Sequence, residues 1–178
     1  APSRAIASTP STVSADAAGA MIDREALAEL TAALIRAESP DPPGDERRVA
    51  AVVADALAGA GLEPELDAFA PDRANVRARV EGRGERPALV FSAHMDTLPV
   101  GEGPWTHPPF AGVRVGGRLY GRGACDMKSG LAAMIAAAAA LRAEPPPLAG
   151  DLVLAFTGGE SSNCLGARRL VETRALDG

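Results

Sequence analysis

Two short stretches of this sequence, 87–93 and 151–156, are almost wholly apolar, and each is set off by glycine or proline. A strand with one face in water alternates apolar and polar residues. A run without that alternation reads as a strand covered on both faces, so the sheet holding it needs layers packed against it. Stretches of helical periodicity lie before, between and after the two runs. Strands alternating with helices specify an α/β domain, with a layered mixed β-sheet flanked by helices.

The remaining elements follow in order. Asp23 is placed to cap a helix running to about Glu38, with Leu27, Leu30, Leu34 and Ile35 on one stripe. Three prolines between Ser39 and Gly44 end it. Asp45 is read as the cap of a second helix, with Val49, Val52, Val53 and Leu57 facing inward and Gly61 as its stop. Asp41 and Asp45 are both assigned to capping rather than chemistry. Strands near 64–70 and 74–81 form an antiparallel pair around Pro71-Asp72. Four prolines keep 98–111 a loop, and Gly116-Gly117 joins 113–115 to 118–120 as a hairpin. An Ala-rich helix is expected over 127–143 and a last one from about Cys164 to Leu176. Residues 1–20, rich in Ala, Ser, Thr and Pro without periodicity, read as a disordered leader to a folded part at 21–178.

Composition narrows the function classes. Aromatics make up only 3% of the chain, so the core must rely on Ala, Val and Leu. A net charge of −5 without a basic block argues against a nucleic-acid partner. The longest apolar stretch, 131–141, is too short to span a bilayer, and no membrane partner is expected. Residues 1–20 lack a basic start followed by an apolar block, so a cytoplasmic location is expected, with Cys125 and Cys164 as reduced thiols.

Chemistry gathers at the ends of the apolar runs. The first delivers His94, one of only two histidines, with Asp96 two residues on and therefore on the same face of an extended chain. That spacing suits a metal-bound imidazole whose other ring nitrogen donates to a carboxylate. Asp126 stands between a glycine-rich turn and the Ala-rich helix, and Glu160 follows the second run. In open α/β sheets such strand ends are where ligands bind. Taken singly, each has a plainer reading: His94 as a hydrogen-bonded core histidine, Asp126 as a helix N-cap, Glu160 as a solvated loop carboxylate. Phosphate loops fail the test. Met127, not glycine, precedes Lys128-Ser129, and Asp126 sits where a dinucleotide fingerprint beginning at Gly121 needs its third glycine.

The order and spacing of Ser92-Ala-His-Met-Asp96, Trp105, Pro109-Phe110, Gly121-Arg-Gly123 and Asp126-Met-Lys128 resemble the zinc-dependent amidohydrolase and exopeptidase family. Acetylornithine deacetylase, succinyl-diaminopimelate desuccinylase, aminoacylase and a bacterial glutamate carboxypeptidase belong to it. The resemblance runs from about Ile22 to the end and is strongest over 91–131. It implies the N-terminal part of the catalytic domain of a zinc-exopeptidase-like fold. By the same resemblance His94 binds one metal, Asp126 bridges two, Asp96 orients His94, and Glu160 is the general base of a water activated by a two-zinc site. The implied cofactor is zinc, two per complete site, with cobalt or manganese as substitutes. The implied substrate is an N-acyl amino acid or short peptide.

The spacing from Glu160 to Gly166-Ala167 fits the family pattern, but Ser161 stands where the family places a metal-ligand Glu. A neutral hydroxyl is a poor substitute for that carboxylate. The family's later carboxylate, its late histidine and its inserted smaller domain have no counterpart here; His107 is read as a loop or substrate-mouth residue. These departures support a rival expectation, a truncated or non-catalytic member acting as a binding or regulatory module. Uncovered strand edges would favour association into a homo-oligomer.

Overall fold

The computed structural model describes residues 22–143 and 148–176. The leader expected over 1–20 lies outside them. Helix α1 (Arg24–Arg36) is capped by Asp23, whose carboxylate accepts from the N–H groups of Glu25 and Ala26. Helix α2 (Arg47–Gly59) ends at Ala60, with Gly61 at a φ of 73° beyond it. Strands β1 (Glu65–Ala70) and β2 (Arg73–Val80) pair antiparallel, as their alternation and the intervening turn predict. Strand β3 (Leu89–His94) follows, then the hairpin β4 (Val113–Val115) and β5 (Arg118–Tyr120), a turn at Ala124–Lys128, helix α3 (Ser129–Ala143), strand β6 (Leu152–Thr157) and helix α4 (Leu165–Glu172).

The main sheet has the order β1-β2-β6-β3, with β6 antiparallel to β2 and parallel to β3. One face carries Ala74, Val76, Ala78 and Val80 with Leu152, Leu154 and Phe156. It packs against Leu34 of α1, Val49, Val53 and Leu57 of α2, and Leu131, Ala132, Ile135 and Ala138 of α3. Helix α4 lies on the opposite face, where Asn75 of β2 donates to the Gly166 carbonyl. The alternation of the strands puts Asn75 and Val76 on opposite sides of the sheet.

Four expectations need correction. Strand β6 is buried throughout, but β3 is an edge strand, with Leu89 59% and Val90 39% exposed. Its apolar run reflects the sheet face beneath α3, not cover on both sides. Asp45 does not cap α2: Glu46 holds the cap position without a side-chain bond, and Asp45 lies beside Arg47 and Arg48. Asp41 caps nothing and is instead fully buried against Arg73. Finally, counted with the turn before it, Ala124–Arg142 is long and apolar enough to cross a membrane by length and composition. In this fold Leu131, Ala132, Ile135 and Ala138 of that stretch are spent on the core, and 28% of it is buried.

Candidate metal centre

The parallel register of β3 and β6 builds the site. His94 pairs opposite Thr157, so both strands reach the same sheet edge, and the turn after β6 emerges beside the imidazole. One ligand atom from each of His94, Asp96 and Glu160 lies within 4.8 Å of the others. From the other side, the turn before α3 brings Asp126, 87% exposed, so that its Oδ1 is 3.1 Å from His94 Nε2. The backbone N–H of His94 donates to the Met127 sulfur at 3.3 Å, tying that turn to β3.

The imidazole is oriented from behind, by the backbone. His94 Nδ1 is 2.9 Å from the Asp96 carbonyl, while the Asp96 carboxylate is 3.8 Å away. Only an N–H can bond to a carbonyl, so Nδ1 carries the proton, and in the neutral tautomer this leaves the lone pair on Nε2. That lone pair faces a carboxylate oxygen at 3.1 Å. In that tautomer the two are both acceptors, and a cation between them, metal ion or proton, turns their repulsion into two bonds. Ligands to one tetrahedral zinc, each about 2.0–2.2 Å from it, stand roughly 3.3–3.6 Å apart, close to the separation seen here. His94 and Asp126 therefore fit a metal.

Asp96 does not belong to that ligand set. Its carboxylate is fully buried, and its two oxygens accept from the N–H groups of Glu160 at 3.0 Å and Ser161 at 3.1 Å. Glu160 itself is exposed, its carboxylate open to solvent at the site. Beside Asp126 opens a cleft of about 410 Å³ lined by Trp105, His107, Tyr120 and Arg122 among others. The Arg122 guanidinium lies 5.1 Å from the Trp105 ring centroid, and the His107 and Tyr120 rings are 4.7 Å apart.

Sequence reasoning missed the group beneath the Glu160 turn: Asp41, Glu46, Arg73 and Asn75. Arg73 holds Asp41 in a two-point pair at 2.8 and 3.1 Å, and this keeps the Asp41 carboxyl below its ordinary range. Glu46 is shifted the other way, to about 7, chiefly because burial disfavours its charge. The available signal was Asn75, an amide inside a strand where such residues are depleted.

A histidine and carboxylates thus converge on the C-terminal edge of parallel strands in an α/β sheet, where such folds bind their ligands. Residues 90–178, half of the chain, match the profile of Peptidase family M20/M25/M40, and the chain belongs to that family. It is 44% identical over 141 residues to a succinyl-diaminopimelate desuccinylase of Methylobacterium radiotolerans, covering 76% of this chain and 35% of that one. A desuccinylase of Paracoccus denitrificans is 41% identical over 156 residues, covering 85% and 39%. Human carnosine dipeptidase 1 superposes with a TM-score of 0.64 at 27% identity, over 84% of this chain and 34% of that chain. A metallo-carboxypeptidase of the M20 family from Sulfolobus solfataricus gives 0.72 at 20% identity, over 85% and 34%, a likeness of fold. The chain thus spans between a third and two fifths of the length of these relatives.

Proposed function

We propose that this chain supplies the metal-binding and proton-transfer half of an amide hydrolase acting on N-acyl amino acids, N-succinyl ones first among them, or on short peptides. One observation carries the reading: His94 Nε2 lies 3.1 Å from Asp126 Oδ1, with Glu160 on the same edge. The desuccinylase relatives suggest the acyl group. A bound divalent metal, zinc by family precedent, would polarise the amide carbonyl and acidify the attacking water. His94 and Asp126 would hold it. Asp96 holds the Glu160 backbone by its N–H, so that the exposed carboxylate faces the site. Glu160 takes a proton from the attacking water and passes it to the departing amine nitrogen. Its reach must be that of a hydrogen bond, directly or through one water.

Ser161 favours a second reading, a binding module that retains the metal and lacks turnover. One set of measurements separates the two. Zinc titration of the chain should give saturable binding that weakens about tenfold or more in His94→Ala and in Asp126→Ala. With zinc, hydrolysis of N-succinyl and N-acetyl amino acids should fall roughly 100-fold in Glu160→Gln while zinc affinity holds. Zinc binding indifferent to both ligand substitutions would sink the metal site. Binding that depends on them, without any turnover, would select the module.

A further inference from the structure

The five residues after β6, Gly158 to Ser162, are each tied to a buried polar side chain. Asn75 Oδ1 accepts from the Gly158 N–H at 3.2 Å and Glu46 Oε1 from the Gly159 N–H at 3.1 Å. Asp96 takes the N–H groups of Glu160 and Ser161, and the Ser162 hydroxyl donates to Asp41 Oδ1 at 2.7 Å. On the other side of the turn, the carbonyls of Gly158, Gly159 and Glu160 accept from Gly166, Leu165 and Cys164 at the start of α4. A segment opening with two glycines has more conformational freedom than any other pair would give, so it needs external restraint to hold one shape.

Arg73 is the centre of that restraint. Its guanidinium holds Asp41 by both oxygens, approaches Glu46 Oε1 at 3.3 Å and donates to the Pro43 carbonyl at 3.1 Å. It is only 12% exposed, while Asp41 and Glu46 are fully buried. The backbone closes on it from two sides. A Cβ on Gly44 would come within 2.0 Å of Arg73 Nη2, and one on Gly159 within 2.5 Å of Nη1; both glycines have positive φ. Neither position could carry a side chain without moving the guanidinium.

We propose that Arg73 is a positioning residue: through Asp41 and Glu46 it sets the path of the Gly158–Ser162 turn, and so the place of the Glu160 carboxylate opposite His94 and Asp126. A planar, permanently charged fork suits this task, because it can bind two carboxylates and a carbonyl in fixed directions at once. Lysine supplies the charge without the fork. The functional consequence rests on Glu160 being the general base; the structural claim does not.

The test is amide hydrogen exchange on the purified chain, for the parent and for Arg73→Gln, Arg73→Lys and Ser162→Ala. In Arg73→Gln the amides of 158–161 should exchange about tenfold faster or more, while those of 153–157 in β6 change by less than about twofold. Arg73→Lys should fall between, and Ser162→Ala, which removes only one hydroxyl from a half-buried site, should accelerate 160–161 a few-fold. If Arg73→Gln does not fold, Ser162→Ala and Arg73→Lys decide. Unchanged exchange at 158–161 in the folded variants would overturn the proposal, as would acceleration spread evenly over β2 and β6. A second readout uses zinc-dependent hydrolysis: Arg73→Gln should lower kcat about tenfold or more, with KM and zinc affinity little changed. Absence of turnover in the parent would count against the hydrolase reading alone, since the exchange result stands without metal or substrate.

Discussion

Removal from water is the largest influence on Glu46 and holds its carboxyl protonated up to about 7. The attraction of Arg73 opposes this, and the neighbouring Asp96 and Asp41 carboxylates add to it. The stability consequence has a definite sign. Between the ordinary 4.5 and about 7 the unfolded chain loses this proton while the folded chain keeps it. The folded state then binds more protons, and stability falls as pH rises through that window. Glu46→Gln keeps an oxygen for the Gly159 N–H and removes the titration. Its urea midpoint, compared with that of the parent from pH 4 to pH 8, should lose this component of the slope and gain on the parent at the upper end. The polar residues behind the site were not legible one by one. Asp41 and Asp45 look alike in sequence, two acids near a helix start, and only the arrival of Arg73 from β2 separates a fully buried ion pair from a half-buried acid beside Arg47 and Arg48.

At the scale of elements, Lys128 joins the end of α1 to the start of α3. Its ammonium is fully buried and donates to the Leu34 and Ala37 carbonyls at 2.7 Å each. These carbonyls lie at the helix C-terminus, where the partial negative charge of the helix favours a cation. Burial lowers the lysine to about 8, and the Asp96 and Glu38 carboxylates limit the drop. Lys128→Met would leave two carbonyls without their donor, and stability at pH 7 should fall by roughly 2 kcal/mol in urea denaturation. The parent should also gain stability between about 8 and 10.5, where the unfolded chain alone keeps the proton, and the variant should not. The sequence placed the helices and strands well because their periodicity is local. It read Lys128 as part of a family motif and of a failed phosphate loop, not as a buried cation, since the carbonyls that hold the lysine come from about ninety residues upstream.

For the whole molecule, the free edge of β3 is the consequential surface. Among the described residues no strand lies beyond β3, and Leu89 and Val90 are exposed along it. An apolar strand with open backbone groups is a template for pairing with another chain. The chain is expected to self-associate with concentration in sedimentation velocity. Val90→Lys should shift it toward monomer while leaving the circular dichroism spectrum unchanged.

Local pattern was enough to place the helices, the β1–β2 pair, the β4–β5 hairpin and the strand ends bearing His94 and Glu160, because periodicity and turn chemistry act over a few residues. It could not say that β3 is an edge, since cover on a strand depends on which neighbours the sheet acquires. Nor could it say which atom of Asp96 meets the imidazole. Spacing of two residues suggests the carboxylate, yet the chain turns after His94 and offers the carbonyl, freeing the carboxylate for the Glu160 turn. The contact between His94 Nε2 and Asp126 Oδ1 belongs to the tertiary structure alone. It exists because the parallel pairing of β3 with β6 and the packing of α3 beneath them bring residues 32 positions apart to one edge.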